Sequence, residues 1–497
     1  MNLKSLASLL ITVAHFKVSS GMTINKLQSR RYVGFDLGTS GARISVIEQE
    51  EQDQSNYREV HAESIKWNGS DAYDDANSWM NAVHSLLRGA SISLGGLNSV
   101  ASICVSGTSA SCLLMDRTTM EVTRKPRMYN YDVIGSTKDD KNAKEAMELL
   151  EKHAPPKHTA RARTGSLAKL LTWIKEEPLS ENEVLCHQSD YVSQKIMGKS
   201  TELVSSDWHN CLKLGYDVKN TKWPTWMADC FTEAGYSDAL SENGILPLEI
   251  VSPGARMGVI HNEVARELGL PDDCVIVGGT TDSNAAFFAA AGTRPAVGTA
   301  VTSLGSTLAM KQMSHEYVED ASRGVYSHRF PSFEESEDAT WLVGGASNVG
   351  CAILRKLEFS NDELASLSKE IDPTKDSPLE YYPLVKPGER FPTADSDKQP
   401  VLEPVPADRK DYLHGILQGI SDVERDGFEV LQELGAPPPT IVWTCGGGSN
   451  NDVWSEMRER RLVTKFDNPD IKVKKAECTE ASYGAALLAA ATFIECR

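Results

Sequence analysis

No run of about twenty apolar residues occurs in this chain, so a membrane-spanning helix, which needs roughly that length, is not expected. The 10 cysteines contain no Cys-x-x-Cys pair and no Cys/His spacing of the zinc type. They read as reduced thiols packed as small hydrophobes. Positive charge is scarce: 51 Lys and Arg stand against 69 Asp and Glu, a formal net charge of −18. Such a surface does not favour phosphate backbones, which argues against DNA or RNA as partner. There is no Walker A loop: Gly198-Lys-Ser200 has the tail of one, but Ser193 stands where the first glycine belongs. No Gly-x-Gly-x-x-Gly opens a helix after the first strand, and no Gly-x-Ser-x-Gly elbow is present. Nor is there a persuasive set of metal-enzyme ligands. What remains, at 497 residues with 40% hydrophobic and 24% charged content, is a globular chain too long for one core.

The first thirty residues also lack something: they contain no Asp or Glu, only Lys4, Lys17, Lys26 and Arg30 among apolar and serine positions. A basic, acid-free, serine-containing leader resembles an organelle transit peptide, here expected to direct a plastid location, with mitochondrial or cytoplasmic residence as alternatives. Leu6 to Val13 could instead be a signal-peptide core, though no clear small-x-small cleavage site follows at the right place. A third reading is a weakly structured extension with Met22 as a second start. The Asn68-Gly-Ser70 sequon matters only to a secreted chain, which unpaired cysteines argue against.

From Arg31 the chain becomes informative. Tyr32 to Leu37 is a β-type run carrying Asp36; Gly38-Thr-Ser-Gly41 is a tight turn; Ala42 to Ile47 is a second β-type run. The hairpin turn offers backbone N–H groups and two hydroxyls, which suit phosphate, beside a carboxylate, which suits Mg²⁺. Glycine hairpin turns also arise for steric reasons alone. Asp74 to Ser91 has Trp79, Val83, Leu86 and Leu87 at helical spacing behind Asp and Asn caps. Leu97 to Val105 and Cys112 to Met115 read as strands around Ser106-Gly-Thr-Ser-Ala-Ser111. Cys274 to Gly279 is a buried-type strand, and Thr280-Thr-Asp282 is expected to cap a helix from Ser283 to Ala291. A second β-to-β turn, Ser303-Leu-Gly-Ser-Thr307, echoes the first. Lys386 to Lys410, rich in proline and charge, reads as a surface loop. Thr440 to Cys445 is a strand that enters a helix near Asp452 through Gly446-Gly-Gly-Ser-Asn-Asn451, and Ala481 to Ala491 is a small-residue helix. Mixed strands and long helices imply an α/β fold, and the two turns hint at two related lobes meeting near Asp282 to Gly292.

Asp282 is the sharpest single residue. At a strand-to-helix junction a carboxylate is stabilised by free N–H groups and the helix dipole, yet it can accept a proton from an attacking alcohol. An ordinary N-cap is the plainer alternative. Gly446 to Asn451 would let a flat ring approach the backbone, or serve only as a close strand–helix crossover.

Asp36-Leu-Gly-Thr-Ser-Gly-Ala-Arg43, Thr280-Thr-Asp-Ser-Asn284, Ser303-Leu-Gly-Ser-Thr307, Gly446-Gly-Gly-Ser-Asn-Asn451 and Ser482-Tyr-Gly-Ala-Ala486, with Pro387-Gly-Glu-Arg390, Leu246-Pro247 and Pro253-Gly254, stand in the order and spacing of the FGGY carbohydrate kinases. The resemblance runs from Tyr32 to Ala491 and is strongest to the D-ribulose kinase branch, xylulose-kinase-like proteins of cyanobacteria and plant plastids. It implies two RNase H-like domains of the actin/hexokinase type, residues 31–285 on the sugar side and 286–497 on the nucleotide side, closing around ATP and a sugar. It implies that Asp282 is the catalytic base and also touches sugar, and that Asp36 contacts sugar and Mg²⁺. By the same resemblance Ser40, Gly41, Ala42 and Arg43 lie on the substrate side. Gly38, Thr39, Gly305 and Ser306 would hold phosphates. Gly345, Gly447, Gly448, Ser449, Asn450 and Asn451 would face the nucleotide. The chain departs from the larger xylulose and glycerol kinases in having Met128-Tyr-Asn-Tyr-Asp132 where they carry Trp-x-Asp-x-Arg. The Ser106 to Ser111 loop also lacks their Gln or His. These departures favour D-ribulose over xylulose and glycerol. A non-catalytic sugar- or nucleotide-binding protein of the same fold, or an actin-like ATPase, are the competing classes.

Overall fold

The computed structural model describes residues 30–493 apart from 50–55, 70–71, 137–139, 199–203 and 334–337. The leader, and Ser70 of the sequon, lie outside the described residues. In chain order the first half comprises β1 (Arg31–Leu37), β2 (Gly41–Gln49), β3 (Tyr57–Lys66), α1 (Ala76–Leu94) and β4 (Val100–Gly107). An insertion follows: β5 (Cys112–Asp116), β6 (Val122–Arg127), α2 (Lys141–His153), α3 (Ser166–Glu176), β7 (Glu183–His187) and α4 (Gln188–Met197). Next come β8 (Ser205–Asp207), α5 (Trp208–Cys211), α6 (Trp226–Ala234), β9 (Glu249–Val251), β10 (Arg256–Val259), α7 (Asn262–Leu268), β11 (Val275–Val277), β12 (Thr280–Thr281) and α8 (Asp282–Ala291). The second half has β13 (Thr299–Leu304), β14 (Leu308–Ser314), β15 (Tyr326–Arg329), β16 (Trp341–Ser347), α9 (Ala352–Lys356) and α10 (Asn361–Ser368). It closes with α11 (Arg409–Glu433), β17 (Ile441–Cys445), α12 (Asp452–Phe466), β18 (Lys472–Lys475) and α13 (Ala481–Ala491).

Two sheets organise the molecule, in the orders β10-β11-β4-β1-β2-β3, with β12 also on β4, and β15-β16-β14-β13-β17-β18. They share one plan. A hairpin (β1–β2, β13–β14) carries a third antiparallel strand on one side (β3, β16) and parallel strands on the other (β4 and β11, β17 and β18). The expected pair of related α/β lobes is therefore present, and each expected turn joins the first two strands of its sheet. Helix α13 packs on one face of β1 at Gly34, and Val33, Phe35 and Leu37 on the other join Trp79, Val83 and Leu86 of α1, which explains the nearly unbroken apolar run of the strand.

Local chemistry sets the boundaries. Asp75 caps α1, accepting the Ser78 N–H at 2.9 Å, and Gly95 ends it with φ +69°. In the second lobe a buried ion pair ties four elements together. Arg458 of α12 donates to both Glu424 oxygens of α11 at 2.6 and 2.7 Å and to Thr444 Oγ1 of β17 at 2.8 Å, while Thr302 of β13 donates to Glu424 at 2.6 Å. The expected surface loop before residue 410 is only partly one. Phe391 is fully buried, with its ring against the backbones of Gly345 and Gly427. The buried Glu389 carboxylate accepts from Ser347 Oγ at 2.7 Å, Asn348 N–H at 2.6 Å and the Tyr382 hydroxyl at 2.9 Å. An aromatic anchor and a fully used carboxylate hold a proline-rich segment inside.

Between the sheets lie α8 and α13. An added Cβ at Gly34 of β1 would stand 2.0 Å from the Ser482 carbonyl oxygen, and one at Gly484 would stand 1.8 Å from that of Ala285. Glycine is required at both crossings because any side chain would strike backbone. Ser45 and Ser482 share a hydroxyl hydrogen bond of 2.8 Å, and Ser102 donates to the Ala489 carbonyl at 2.7 Å. A helix from the second half of the chain thus packs on the first sheet. Among the described residues no helix is long and apolar enough to cross a membrane.

Candidate active site

At the end of β1 the Asp36 carboxylate is buried. Its Oδ2 accepts from Arg43 Nη1 at 3.0 Å and its Oδ1 from Ser106 Oγ at 3.2 Å. Arg43 also donates to Ser40 Oγ at 3.3 Å. The turn ahead of Arg43 is held by Gly38 N–H donating to the Gly41 carbonyl at 3.0 Å and by Trp67 Nε1 donating to the Gly38 carbonyl at 2.9 Å. A Cβ at Gly41 would stand 2.1 Å from the Ile65 carbonyl oxygen, so β3 backs the turn closely. Thr39 and Ser40 are exposed. Ala42 points its methyl into the first-lobe core and adds no side chain here.

Asp282 differs slightly from expectation. Thr281 is the N-cap and Asp282 is the first helical residue. The Thr281 hydroxyl is buried without a hydrogen-bond partner among the described residues, so it does not cap. Asp282 instead accepts the Ser283 N–H at 2.7 Å. Its carboxyl is pushed up by burial, against the pull of that N–H, of Lys311 and of Lys213. Asp36 is pushed up to about 6, first by burial and then by the Asp282 charge, with Arg43 opposing. The two carboxylates therefore feel each other. Among the described residues no three His, Cys, Asp or Glu converge as a metal cage. Two carboxylates beside hydroxyls nonetheless fit Mg²⁺, which takes one or two carboxylates and completes its shell with phosphates and water.

The Asp36 shift has a measurable sign. A carboxyl held near 6 keeps its proton in the fold where the unfolded chain, near 3.8, has lost it. Stability therefore falls as pH rises through that window. Asp36→Asn is expected to raise the urea-unfolding free energy at pH 7 by up to about 3 kcal/mol, from about 1.4 kcal/mol per pK unit, with the gain vanishing below about pH 4. A variant less stable than the parent at pH 7 would contradict the assignment.

The second turn is built differently. Cys351 N–H donates to the Gly305 carbonyl at 2.8 Å and Ala352 N–H to that of Ser306 at 3.2 Å. Arg355 Nη2 donates to Ser306 Oγ at 2.9 Å. The Gly446 to Asn451 turn lies directly on β13: a Cβ at Gly448 would stand 2.7 Å from Leu304 Cβ, and one at Gly446 2.7 Å from the Leu304 carbonyl. The structure thus brings Gly305 and Ser306 together with the Gly447 turn. Gly447 faces open space, Ser449 donates to the Gly446 carbonyl at 2.8 Å, and Asn450 accepts from Lys475 at 2.8 Å. Asn451 caps α12, accepting the Trp454 N–H at 3.0 Å and donating to Ser368 at 2.8 Å. Gly345 lies elsewhere, buried in mid-strand against Phe391.

Several residues near the site lie outside the shared motifs. Lys169 is buried and donates to the carbonyls of Ala110 at 2.8 Å and Met128 at 2.7 Å, which braces the Ser106 to Ser111 loop. Asp132, in the Met128 to Asp132 element that lacks a following arginine, pairs with Arg163 at 2.8 Å. Lys213, Lys311 and Arg355 also belong to none of the motifs. A Ser166–His187–Asp190 chain has the spacing of a nucleophilic triad, 3.0 and 2.9 Å, but all three residues are buried, so it braces the insertion.

A model of the FGGY family of carbohydrate kinases, N-terminal domain, matches residues 31–289. The chain belongs to the FGGY family of carbohydrate kinases. This FGGY chain is 24% identical over 477 residues to a xylulose kinase of Bacillus subtilis, across 92% of this chain and 87% of that one. Its fold matches a xylulose kinase from Bifidobacterium adolescentis at TM-score 0.72 and 19% identity, covering 94% and 93% of the two chains. It also matches Plasmodium falciparum glycerol kinase with ADP at TM-score 0.75 and 14% identity, covering 94% and 90%. This FGGY protein is accordingly an enzyme of the phosphotransferase class with the two-domain sugar-kinase fold.

Proposed function

We propose that the protein transfers the terminal phosphoryl group of Mg-ATP to a hydroxyl of a pentulose, converting D-ribulose to D-ribulose 5-phosphate. The observation that carries this reading is the Asp36–Asp282 pair at the ends of β1 and β12, beside the exposed hydroxyls of Thr39 and Ser40. Asp282 accepts the proton of the attacking hydroxyl as its oxygen bonds to phosphorus and the bond to ADP breaks. Asp36, Arg43 and Ser40 orient the sugar. Gly38, Thr39, Gly305 and Ser306 cradle phosphates, and the 447–451 turn takes adenosine. Asp36 would hold Mg²⁺, which when bound would neutralise charge on the phosphates; the remaining work is positioning by the chain's own residues.

The choice of D-ribulose rests on the departures at Met128 to Asp132 and Ser106 to Ser111. The named xylulose kinase relative supports D-xylulose as the second reading. Coupled ADP release from Mg-ATP with D-ribulose, L-ribulose, D-xylulose, glycerol or no sugar separates them. Selective turnover of D-ribulose is expected. D-Xylulose turnover keeps the mechanism and changes the substrate, sugar-independent hydrolysis favours an ATPase, and ATP binding without turnover favours a non-catalytic protein. We further infer that residues 1–30 act as a plastid transit peptide: import into isolated chloroplasts with removal of residues near 1–30 is expected, and retention of the full chain outside them would overturn this.

Arg355 adds a cation at the Ser306 turn. Arg355→Ala is expected to raise KM for ATP roughly tenfold, about 1.4 kcal/mol of binding, and to change kcat less. An unchanged KM would place the guanidinium outside the phosphate site.

A further inference from the structure

Lys169 stands on α3, in the insertion of the first lobe, and is fully buried. Its ammonium donates to the Ala110 carbonyl at 2.8 Å and to the Met128 carbonyl at 2.7 Å. Both acceptors are neutral. A cation taken out of water for neutral acceptors is costly, and a sequence that keeps one breaks a local rule, as functional places do. The two carbonyls belong to the two segments in which this chain departs from the larger xylulose and glycerol kinases, Ser106 to Ser111 and Met128 to Asp132. The first of these begins at the Asp36 carboxylate, to which Ser106 Oγ donates at 3.2 Å. It also carries strain. Ala110 has φ +64°, in the left-handed region that a residue with a Cβ seldom adopts, and its carbonyl is the one that Lys169 grips.

We propose that Lys169 is a positioning residue for sugar selectivity: it locks the 106–111 loop to the 128–132 segment and so fixes the groups that tell one pentulose from another. The inference rests on the kinase reading and deepens it. D-Ribulose and D-xylulose differ only in the direction of the hydroxyl at C3. One inverted hydroxyl is read only by donors and acceptors that cannot follow it, because a loop free to shift would satisfy both epimers. Selectivity of this kind therefore lies in the rigidity behind the contact as much as in the contact.

The neighbouring bonds agree with that part. Ser111 Oγ accepts the Tyr129 N–H at 2.8 Å, a direct tie between the two segments. Gln188, at the start of α4, accepts the Thr108 N–H and the Thr108 hydroxyl, each at 3.0 Å, and its own N–H donates to the Ser111 carbonyl at 2.9 Å. Arg127, next to Met128, donates to the Lys169 carbonyl at 3.2 Å and lies over the rings of Tyr131 and Trp173. On the far side, the Tyr73 hydroxyl donates to Asn130 Oδ1 at 2.8 Å. With so much of both segments held from behind, half-buried Ser109 and exposed Tyr129 and Asn130 are the side chains left to meet a sugar.

The test compares kcat and KM of the full chain for D-ribulose and D-xylulose at saturating Mg-ATP. Lys169→Met is expected to raise KM for the better sugar about tenfold and to shrink the preference between the two sugars, as a ratio of kcat/KM, by about the same factor. KM for ATP is expected to stay unchanged. Lys175 of the same helix serves as the comparison: its ammonium donates to the Ala234 carbonyl of α6 at 3.1 Å, and it reaches neither segment. Lys175→Met is expected to keep the preference. A preference kept in Lys169→Met, an equal fall in kcat for both sugars, an equal loss of preference in Lys175→Met, or a wild type that does not distinguish the sugars overturns the proposal. Should Lys169→Met fail to fold, Ser111→Ala, which removes the direct tie, is expected to lose preference in the same sense, and a kept preference there overturns it. A second readout needs no turnover. Amide hydrogen exchange in peptides covering 106–111 and 128–132 is expected to quicken in Lys169→Met, and unchanged exchange overturns the proposal. If the wild type phosphorylates none of the sugars, the kinase reading falls, while the exchange still decides whether Lys169 joins the two segments.

Discussion

Asp282→Asn is expected to lower sugar-dependent ADP release by about 10²–10⁴-fold, the range for loss of a general base, with KM for ATP near its wild-type value. The substitution is nearly isosteric. Its amide oxygen can still accept the Ser283 N–H that Asp282 accepts at 2.7 Å, so the first turn of α8 keeps its geometry. What is lost is the negative charge and the proton acceptor. The nucleotide turns lie on the second sheet, around Leu304 and Gly448, and do not depend on this carboxylate. Loss should therefore fall on kcat, as expected for an interaction made chiefly in the transition state. Full turnover in the variant would remove Asp282 from the chemistry.

The largest expected effect on stability lies at Arg458. Both partners of its pair with Glu424 are 1% exposed. Replacing Arg458 with Met leaves an ionised or newly protonated carboxyl without its counter-ion, and breaking such a pair from one side costs about 3–5 kcal/mol. Urea unfolding of the variant should show a loss of that size at pH 7. Thr444 and Thr302 would lose a partner or keep a weakened one. Glu424→Leu combined with Arg458→Met should lose less than Arg458→Met alone, because no buried charge is left orphaned. A double variant as damaged as the single would show that packing, and not charge, sets the cost.

Much of the site was legible because its parts are local. Asp36, the Gly38 to Gly41 turn and Arg43 lie within eight residues, so β-alternation, glycines and a carboxylate announce them together. The same holds for Gly305-Ser306 and for Gly446 to Asn451. The expected helix start at Ser283 lies one position past the observed start at Asp282, since sequence signals blur at helix ends. The 25-residue α11 was not legible. Gly415, Gly419 and Gly427 interrupt its apolar pattern and read as breaks, yet each lets another segment approach: Cβ atoms at Gly415 and Gly427 would stand 2.7 Å from the Tyr381 ring and 2.6 Å from that of Phe391. Lys213, Lys311 and Arg355 are single charges without a motif. Only sheet pairing and loop closure bring them to Asp282 and Ser306, over separations of 28 residues for Lys311–Ser283 and 49 for Arg355–Ser306.

The seating of α13 on the first sheet has a consequence for biosynthesis. The Ser102–Ala489 hydrogen bond spans 387 residues, and the Gly34 crossing waits for Ser482. At roughly 5–20 residues per second of translation, β1 and β4 leave the ribosome some tens of seconds before the helix that covers them. During that interval the earliest sheet of the protein presents an uncovered apolar face. The first lobe is thus the first to be made and among the last to be finished, and its nascent form is the one with most need of a chaperone.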